Sequence, residues 1–175
     1  GFEYFQGYFF CRPEVVKGQR IPTNRLAVLQ LLARLQDPWV DLRGLGDIIA
    51  RDLSLAHRLL RVINSAAVFL PKKVDSISEA VLLLGTQFVT KLASLIILAR
   101  LDDQPLELIV TATVRARMCE LLGVVTGGAM PDTFFLTGLL SALDAILNLP
   151  LEEALDHLPL ADEVRAALLA REGAL

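Results

Sequence analysis

Two histidines, two cysteines and twenty acidic side chains are the stock from which a metal centre could be drawn. Neither His57 nor His157 is followed by aspartate. A metal-dependent phosphohydrolase needs several imidazoles and carboxylates converging on one or two cations, because those groups must displace water and hold the metal that activates the nucleophile. Two isolated histidines cannot build such a site. His57 falls on the polar side of its helical pattern and reads as solvated or hydrogen-bonded. His157 lies near a helix end, where an imidazole interacts favourably with the dipole. Cys11 and Cys119 are far apart and in no paired spacing, which excludes a disulfide framework or zinc knuckle and makes a reducing cytoplasm the expected compartment.

Other candidate chemistry is sparse. Gly44-x-Gly46 and Gly127-Gly128 lack the strand-turn-helix context, or the Lys-Ser/Thr pair, of a phosphate-cradling loop, and read as turns. Ser141 has no histidine near it in sequence and no flanking glycine elbow, so a serine hydrolase would need tertiary contacts that the sequence does not reveal. Arg58, Arg61, Arg115 and Arg117 form a basic set whose guanidinium groups match phosphate or carboxylate geometry. They could contact an anionic nucleotide or an acidic partner, and the simpler reading is solvated helix faces. Asn64 is an amide in an apolar helical pattern. It must be exposed or fully hydrogen-bonded, and is expected to tie its helix to a neighbouring loop, with a ligand contact as the alternative.

The elements that position these residues are helical. Phe2 to Phe10 is crowded with aromatics around Gln6-Gly7 and reads as an extended strand ending at Arg12-Pro13. From Thr23 onward apolar positions recur at helical spacing. Val28, Leu31, Leu32 and Leu35 share one face of a first helix, and a short second helix covers Leu42 to Arg51. In the third, Leu55, Leu59, Val62, Ile63 and Ala66 form the buried stripe, with Ser54, Arg58, Arg61 and Ser65 opposite. Ser76 and Glu79 read as a capping box, and Gly85 as the left-handed closure of that helix. Gln87 to Leu101 carries only Lys91 and Arg100 as charges, which predicts the most buried helix. Pro105 suits a first turn of a helix running to Leu122 before Gly123. Phe134 to Leu147, Leu151 to Leu158 and Asp162 to Arg171 complete the pattern.

Bulk properties narrow the class. The 175 residues are 54% apolar, ample for one core. Lys+Arg 17 against Asp+Glu 20 builds no field for a polyanion, so nucleic acid is not an expected partner. The mean hydropathy of +0.52 is high, yet the charge-free stretches Ala80 to Thr90, Leu121 to Pro131 and Thr133 to Leu143 fall short of the ~18 apolar residues that span a bilayer. A soluble protein without a membrane partner is expected. No secretory signal opens the chain, and its start at Gly1 suggests an excised fragment.

Several segments resemble one family. Asp52-Leu53-Ser54-Leu55 followed by Leu59-Leu60-Arg61-Val62-Ile63-Asn64-Ser65-Ala66 is similar to the central signature of HDOD domains, the HD-related output domains. The likeness continues through Val74 to Ile77 and Ala80 to Gly85. Arg115 to Leu122 resembles a helix of the subgroup fused behind EAL domains, and Phe5 to Pro13 looks like the last strand and exit of an EAL domain, the fold that in active members hydrolyses cyclic di-GMP. The tripeptide Glu153-Ala154-Leu155 is not that domain's catalytic motif, because it lies in a short helical pattern between Pro150 and Pro159. In true HD enzymes the segment resembling Gly138-Leu139-Leu140 is followed by His-Asp, whereas this chain has Ser141-Ala142. A hydroxyl and a methyl replace two metal-binding groups.

The resemblance therefore implies an all-α, HD-derived multi-helix bundle of roughly seven to nine helices, preceded by a short extended segment. Residues 1–20 would be the C-terminal remnant of an EAL domain with its linker, and 21–175 the HDOD domain. The expected function is a non-catalytic signalling module with no cofactor or metal, whose partner is its own EAL domain or another signalling protein. A nucleotide-binding sensor using the degenerate cavity is the rival reading. The aromatics of Phe2 to Phe10 are expected to dock on the helical body or to pair with a second copy, since burying each offers ~1.5–3 kcal/mol.

Overall fold

The computed structural model describes residues 21–173 except 38, 69, 71, 102, 103, 128 and 129, so the expected N-terminal strand and EAL remnant lie outside the described residues. Within them the protein is all-α. Ten helices follow in order: α1 (Thr23–Leu35), α2 (Leu42–Ala50), α3 (Leu53–Ile63), α4 (Ile77–Leu84), α5 (Thr86–Leu98), α6 (Leu106–Val125), α7 (Pro131–Leu140), α8 (Leu143–Leu147), α9 (Leu151–Asp156) and α10 (Asp162–Leu169). No described helix is long and apolar enough to cross a membrane.

Short polar side chains set where several helices begin. The carboxylates of Asp41 and Asp52 accept from the backbone N–H of Gly44 and Leu55, satisfying first-turn donors that the helix itself cannot pair. Ser76 Oγ accepts from Glu79 N–H at 3.1 Å, as the capping box requires, while the Glu79 carboxylate reaches back to Asp75 N–H at 3.1 Å. Gly85 has φ +83° and ψ 157°, a region open essentially to glycine alone, and it both ends α4 and begins α5.

The core is one cluster. Leu29 and Leu32 of α1, Leu45 and Ile49 of α2, Leu55, Leu59 and Ile63 of α3, and Ile97 and Leu98 of α5 are enclosed with Leu139, Leu140 and Leu143. Helix α5 packs against α1, α2, α3, α4 and α6, which makes it the axle of the N-terminal half. The most extensive interhelix contact joins α6 to α7. There the facing residues are small: Ala112, Ala116 and Gly123 are the buried positions of α6. An added Cβ at Gly138 of α7 would lie 2.8 Å from the Ala116 Cα and 2.9 Å from the Arg115 carbonyl oxygen. At Gly123 it would lie 2.7 Å from the Phe134 ring. The two backbones touch because neither glycine carries a side chain.

Several expectations are corrected here. The run expected as one helix from Phe134 to Leu147 is two, α7 and α8, parted at Ser141-Ala142; the Ser141 hydroxyl bonds the Gly138 carbonyl at 2.7 Å, and Ala142 leaves helical geometry at φ −109°, ψ 8°. Helix α6 does not stop before Gly123 but runs through it, since that glycine makes room for Phe134. Gly44 and Gly46 are not turns; both lie inside α2. The buried stripe of α3 is Leu55, Leu59 and Ile63; Val62, inside the helix, falls at the margin of that stripe and is exposed, and Ala66 is exposed beyond the helix end at Ile63. On α5 the buried face is Val89, Ala93, Ser94, Ile97 and Leu98, and Phe88 is exposed. Helix α7, in which no residue is exposed, is the more enclosed of the two.

Gly138→Ala checks the backbone contact. Alanine in place of glycine normally favours a helix interior by ~0.5–1 kcal/mol. Here it is expected to destabilise by ~1–3 kcal/mol, the cost of overpacking, measured as the shift of the urea denaturation midpoint. Gly123→Ala should cost less, because an aromatic ring can swing away and a helix backbone cannot.

Candidate functional site

Ser141 and Ala142, which the sequence resemblance aligns with the His-Asp pair of HD enzymes, lie at the junction of α7 and α8. Ser141 is the C-cap of α7. Its hydroxyl donates to the Gly138 carbonyl at 2.7 Å and accepts from Arg115 Nη1 at 3.0 Å. The same guanidinium nitrogen lies 3.4 Å from the Ser141 carbonyl oxygen. Close packing of α6 on α7 aims Arg115 at this point, because Arg115 directly precedes Ala116, the residue whose Cα faces Gly138. Ser141 is thus held between a carbonyl and a cation. His57 is exposed on α3 and His157 is the exposed C-cap of α9. Among the described residues no three of His, Cys, Asp and Glu converge closely enough to hold a metal ion.

The remaining sequence-singled residues do not gather here. Arg117 bonds Glu120 on its own helix at 2.5 Å, and Arg58 and Arg61 are exposed on α3. Asn64, the C-cap of α3, behaves as expected. Its Nδ2 donates to the Val74 carbonyl at 2.8 Å and its Oδ1 accepts from the Val74 N–H at 2.8 Å, clamping the loop that leads to α4.

Two polar clusters were not legible as sites. At the meeting of α5, α6 and α7, Lys91 pairs with Glu120 at 2.5 Å and with Asp132, and its ammonium lies 5.0 Å from the centre of the Phe135 ring. Arg117 completes an alternating chain of charges. Burial alone would lower the Lys91 pKa, but the hydrogen bonds and attraction of Asp132 and Glu120 outweigh it and leave the pKa raised. Glu120 is lowered in turn: burial opposes this, and its bonds to Lys91 and Arg117 prevail. The second cluster is Asp52, which caps α3 and also receives Arg100 of the α5 exit in a two-pronged pair at 2.5 and 3.0 Å. That bond chiefly holds the Asp52 carboxyl below its ordinary value, against burial and with help from the Leu55 N–H. The sequence signal for both was the scarcity of charge on α5, since a cation in such a helix requires an anion elsewhere.

Three clefts among the described residues are not lined by Ser141. One cleft of about 400 Å³ is lined by Gln36, Asp37, Thr90, Lys91, Ser94 and Asp132 among others, and a second of the same volume by Asn24, Gln30, Arg34, Asp52 and Arg100. A smaller one of about 230 Å³ adjoins Asn64, Lys72 and Lys73. None of the three is lined by Arg58, Arg61, Arg115 or Arg117.

The model of the HDOD domain matches residues 21–159. The chain belongs to the HDOD family. Over 176 residues it is 33% identical to the uncharacterized protein YuxH of Bacillus subtilis, covering 98% of this chain and 43% of that protein. Over 177 residues it is 33% identical to the cyclic di-GMP phosphodiesterase CdgJ of Vibrio cholerae serotype O1, covering the whole of this chain and 41% of that protein. The chain therefore spans less than half the length of these curated relatives. No solved structure matches.

Two measurements follow. Asn64→Leu leaves the Val74 N–H and carbonyl without their partner, and is expected to lower the unfolding free energy by ~1–3 kcal/mol for each orphaned group. An unchanged midpoint would show the clamp to be dispensable. Asp52→Asn should destabilise most near neutral pH. A carboxylate whose folded pKa is depressed contributes stability that is complete above its unfolded value of ~3.9 and is lost as pH falls through the folded value. The gap between wild type and Asp52→Asn in denaturation curves should accordingly narrow below about pH 4.

Proposed function

We propose that this HDOD domain is a non-catalytic output module that passes a signal by binding protein, either an EAL domain of its own parent or a separate signalling partner, in a pathway connected with cyclic di-GMP. The observation that carries the reading is the Arg115–Ser141 pair. The Arg115 guanidinium, within hydrogen-bond distance of Ser141, sets positive charge beside the position that the sequence resemblance aligns with the His-Asp pair of HD enzymes, and a cation held there would be repelled. The likeness to CdgJ, whose name assigns it cyclic di-GMP hydrolysis, supports the pathway. The resemblance of Phe5 to Pro13 to an EAL exit strand supports the neighbour. Against a nucleotide sensor stands the scatter of the arginines: the cation nearest the degenerate site is bound to Ser141 and lines none of the three clefts, leaving no convergent group there for a phosphate.

The purified chain is expected to hold no stoichiometric transition metal by elemental analysis and to leave cyclic di-GMP and generic phosphoesters intact. About one tightly bound metal per chain, with turnover abolished by Ser141→Ala or His157→Ala, would overturn the reading. Calorimetric titration with cyclic di-GMP that gave saturable heat, lost in Arg115→Ala, would favour the sensor instead. Affinity capture with and without the EAL domain identifies which class of protein is bound.

A further inference from the structure

The cleft between α1 and the exit of α5 has the length and the lining of a peptide site. Its α1 wall carries Asn24, Ala27, Leu31 and Arg34, spaced by three and four residues and therefore in line along one side of the helix. At ~1.5 Å per residue that line runs about 15 Å, the span of roughly four or five residues of extended chain. Across from it Ile97 and Leu101 are buried and floor the cleft beside the Arg100–Asp52 pair. The polar groups of the α1 wall are unclaimed. The Arg34 guanidinium and the exposed Gln30 amide have no partner among the described residues, and Asn24 Oδ1 accepts the neighbouring Arg25 N–H at 2.9 Å while its Nδ2 is unpaired. Because Arg100 is taken up by Asp52, the one uncompensated charge lining the cleft is that of Arg34.

From these groups we propose that the cleft binds an extended, acidic stretch of a protein partner, with one Asp or Glu next to aliphatic residues. The inference rests on the protein-binding reading above and names the chemistry of the bound segment. A primary amide both donates and accepts, so Asn24 and Gln30 are matched to a peptide backbone, whose N–H and C=O groups an extended chain leaves open. The planar guanidinium of Arg34 receives a carboxylate through two parallel hydrogen bonds. Between these contacts Ala27, Leu31 and Ile97 give an aliphatic side chain an apolar surface to cover. One free cation neutralises one carboxylate, whereas a ligand with several phosphates would also meet the Asp52 carboxylate. A basic segment finds no charged acceptor in the lining except Asp52, which Arg100 already holds through both terminal nitrogens.

The test uses the full chain. A phage-displayed library of random heptapeptides, selected on the immobilised protein, is expected to yield sequences with Asp or Glu within two residues of Val, Leu or Ile. Selection on Arg34→Glu should yield Lys or Arg in that place, an exchange of specificity that a merely structural role of Arg34 would not produce. In fluorescence anisotropy a labelled peptide from the wild-type selection should bind Arg34→Gln at least ~10-fold more weakly, and its affinity for wild type should fall as salt is raised. Arg34 is exposed, so circular dichroism should be alike in all three proteins. Should Arg34→Glu disturb folding, Arg34→Gln and the salt series decide. The same peptides on wild type and Arg34→Glu, or no selected peptide at all, overturn the inference. So does binding that appears only in Glu14→Gln, which would assign the cleft to an acidic residue of the chain itself. A protein partner captured equally by wild type and Arg34→Glu overturns this site and leaves the protein-binding reading standing, while a chain that captures no protein overturns the reading itself.

Discussion

The contact between the backbones of α6 and α7 is the constraint on which the rest depends. Gly138 lets the Ala116 Cα approach to within the reach of a missing methyl, and Gly123 does the same for Phe134. That proximity brings Arg115 to Ser141, and brings Glu120 and Asp132 to Lys91 from two sides. It also explains why the fully buried positions of α6 are Ala112, Ala116 and Gly123. A helix built from larger inward residues would stand farther from α7 and lose both polar junctions.

The same geometry closes the junction of α7 and α8, where the sequence resemblance would place the His-Asp pair of an HD enzyme. Metal sites of this kind demand ligands from more than one helix held to within a fraction of an ångström. Here the helix junction survives, but the side chains at it form a hydrogen-bonded stop: carbonyl, hydroxyl, guanidinium. The break between α7 and α8 falls at Ser141, whose hydroxyl bonds the Gly138 carbonyl, so a single hydroxyl marks an element boundary.

Much of the fold could be read from the chain. The helical periods of α1, α2 and α3, the Ser76 cap, and the special role of Gly85 are local features, decided by residues within one or two turns of each other. Asn64 was legible because an amide among aliphatic residues has few ways to be satisfied. What could not be read depends on distant neighbours. Gly123 ends a helix by its local preference and continues one only because Phe134 arrives from α7. Lys91 reads as a stray charge until α6 and α7 supply its carboxylates. Arg115 reads as one of four equivalent arginines until the fold assigns it to Ser141 and leaves Arg58 and Arg61 in solvent. Ala66 was placed inside by a period that the helix does not last long enough to use, and Val62 falls at the margin of the stripe.

The Asn64 clamp has a topological meaning. Its two bonds to Val74 join residues ten positions apart and close the intervening backbone into a ring. Fixing the ends of a loop of this length removes chain entropy from the folded state only once, however the loop is composed. The ring is a staple made from one amide rather than two cysteines, and it needs no oxidant. Inside the ring Lys72 and Lys73 are exposed while Leu70 packs against the core, so the loop is held at its ends by one amide and between them by one aliphatic side chain.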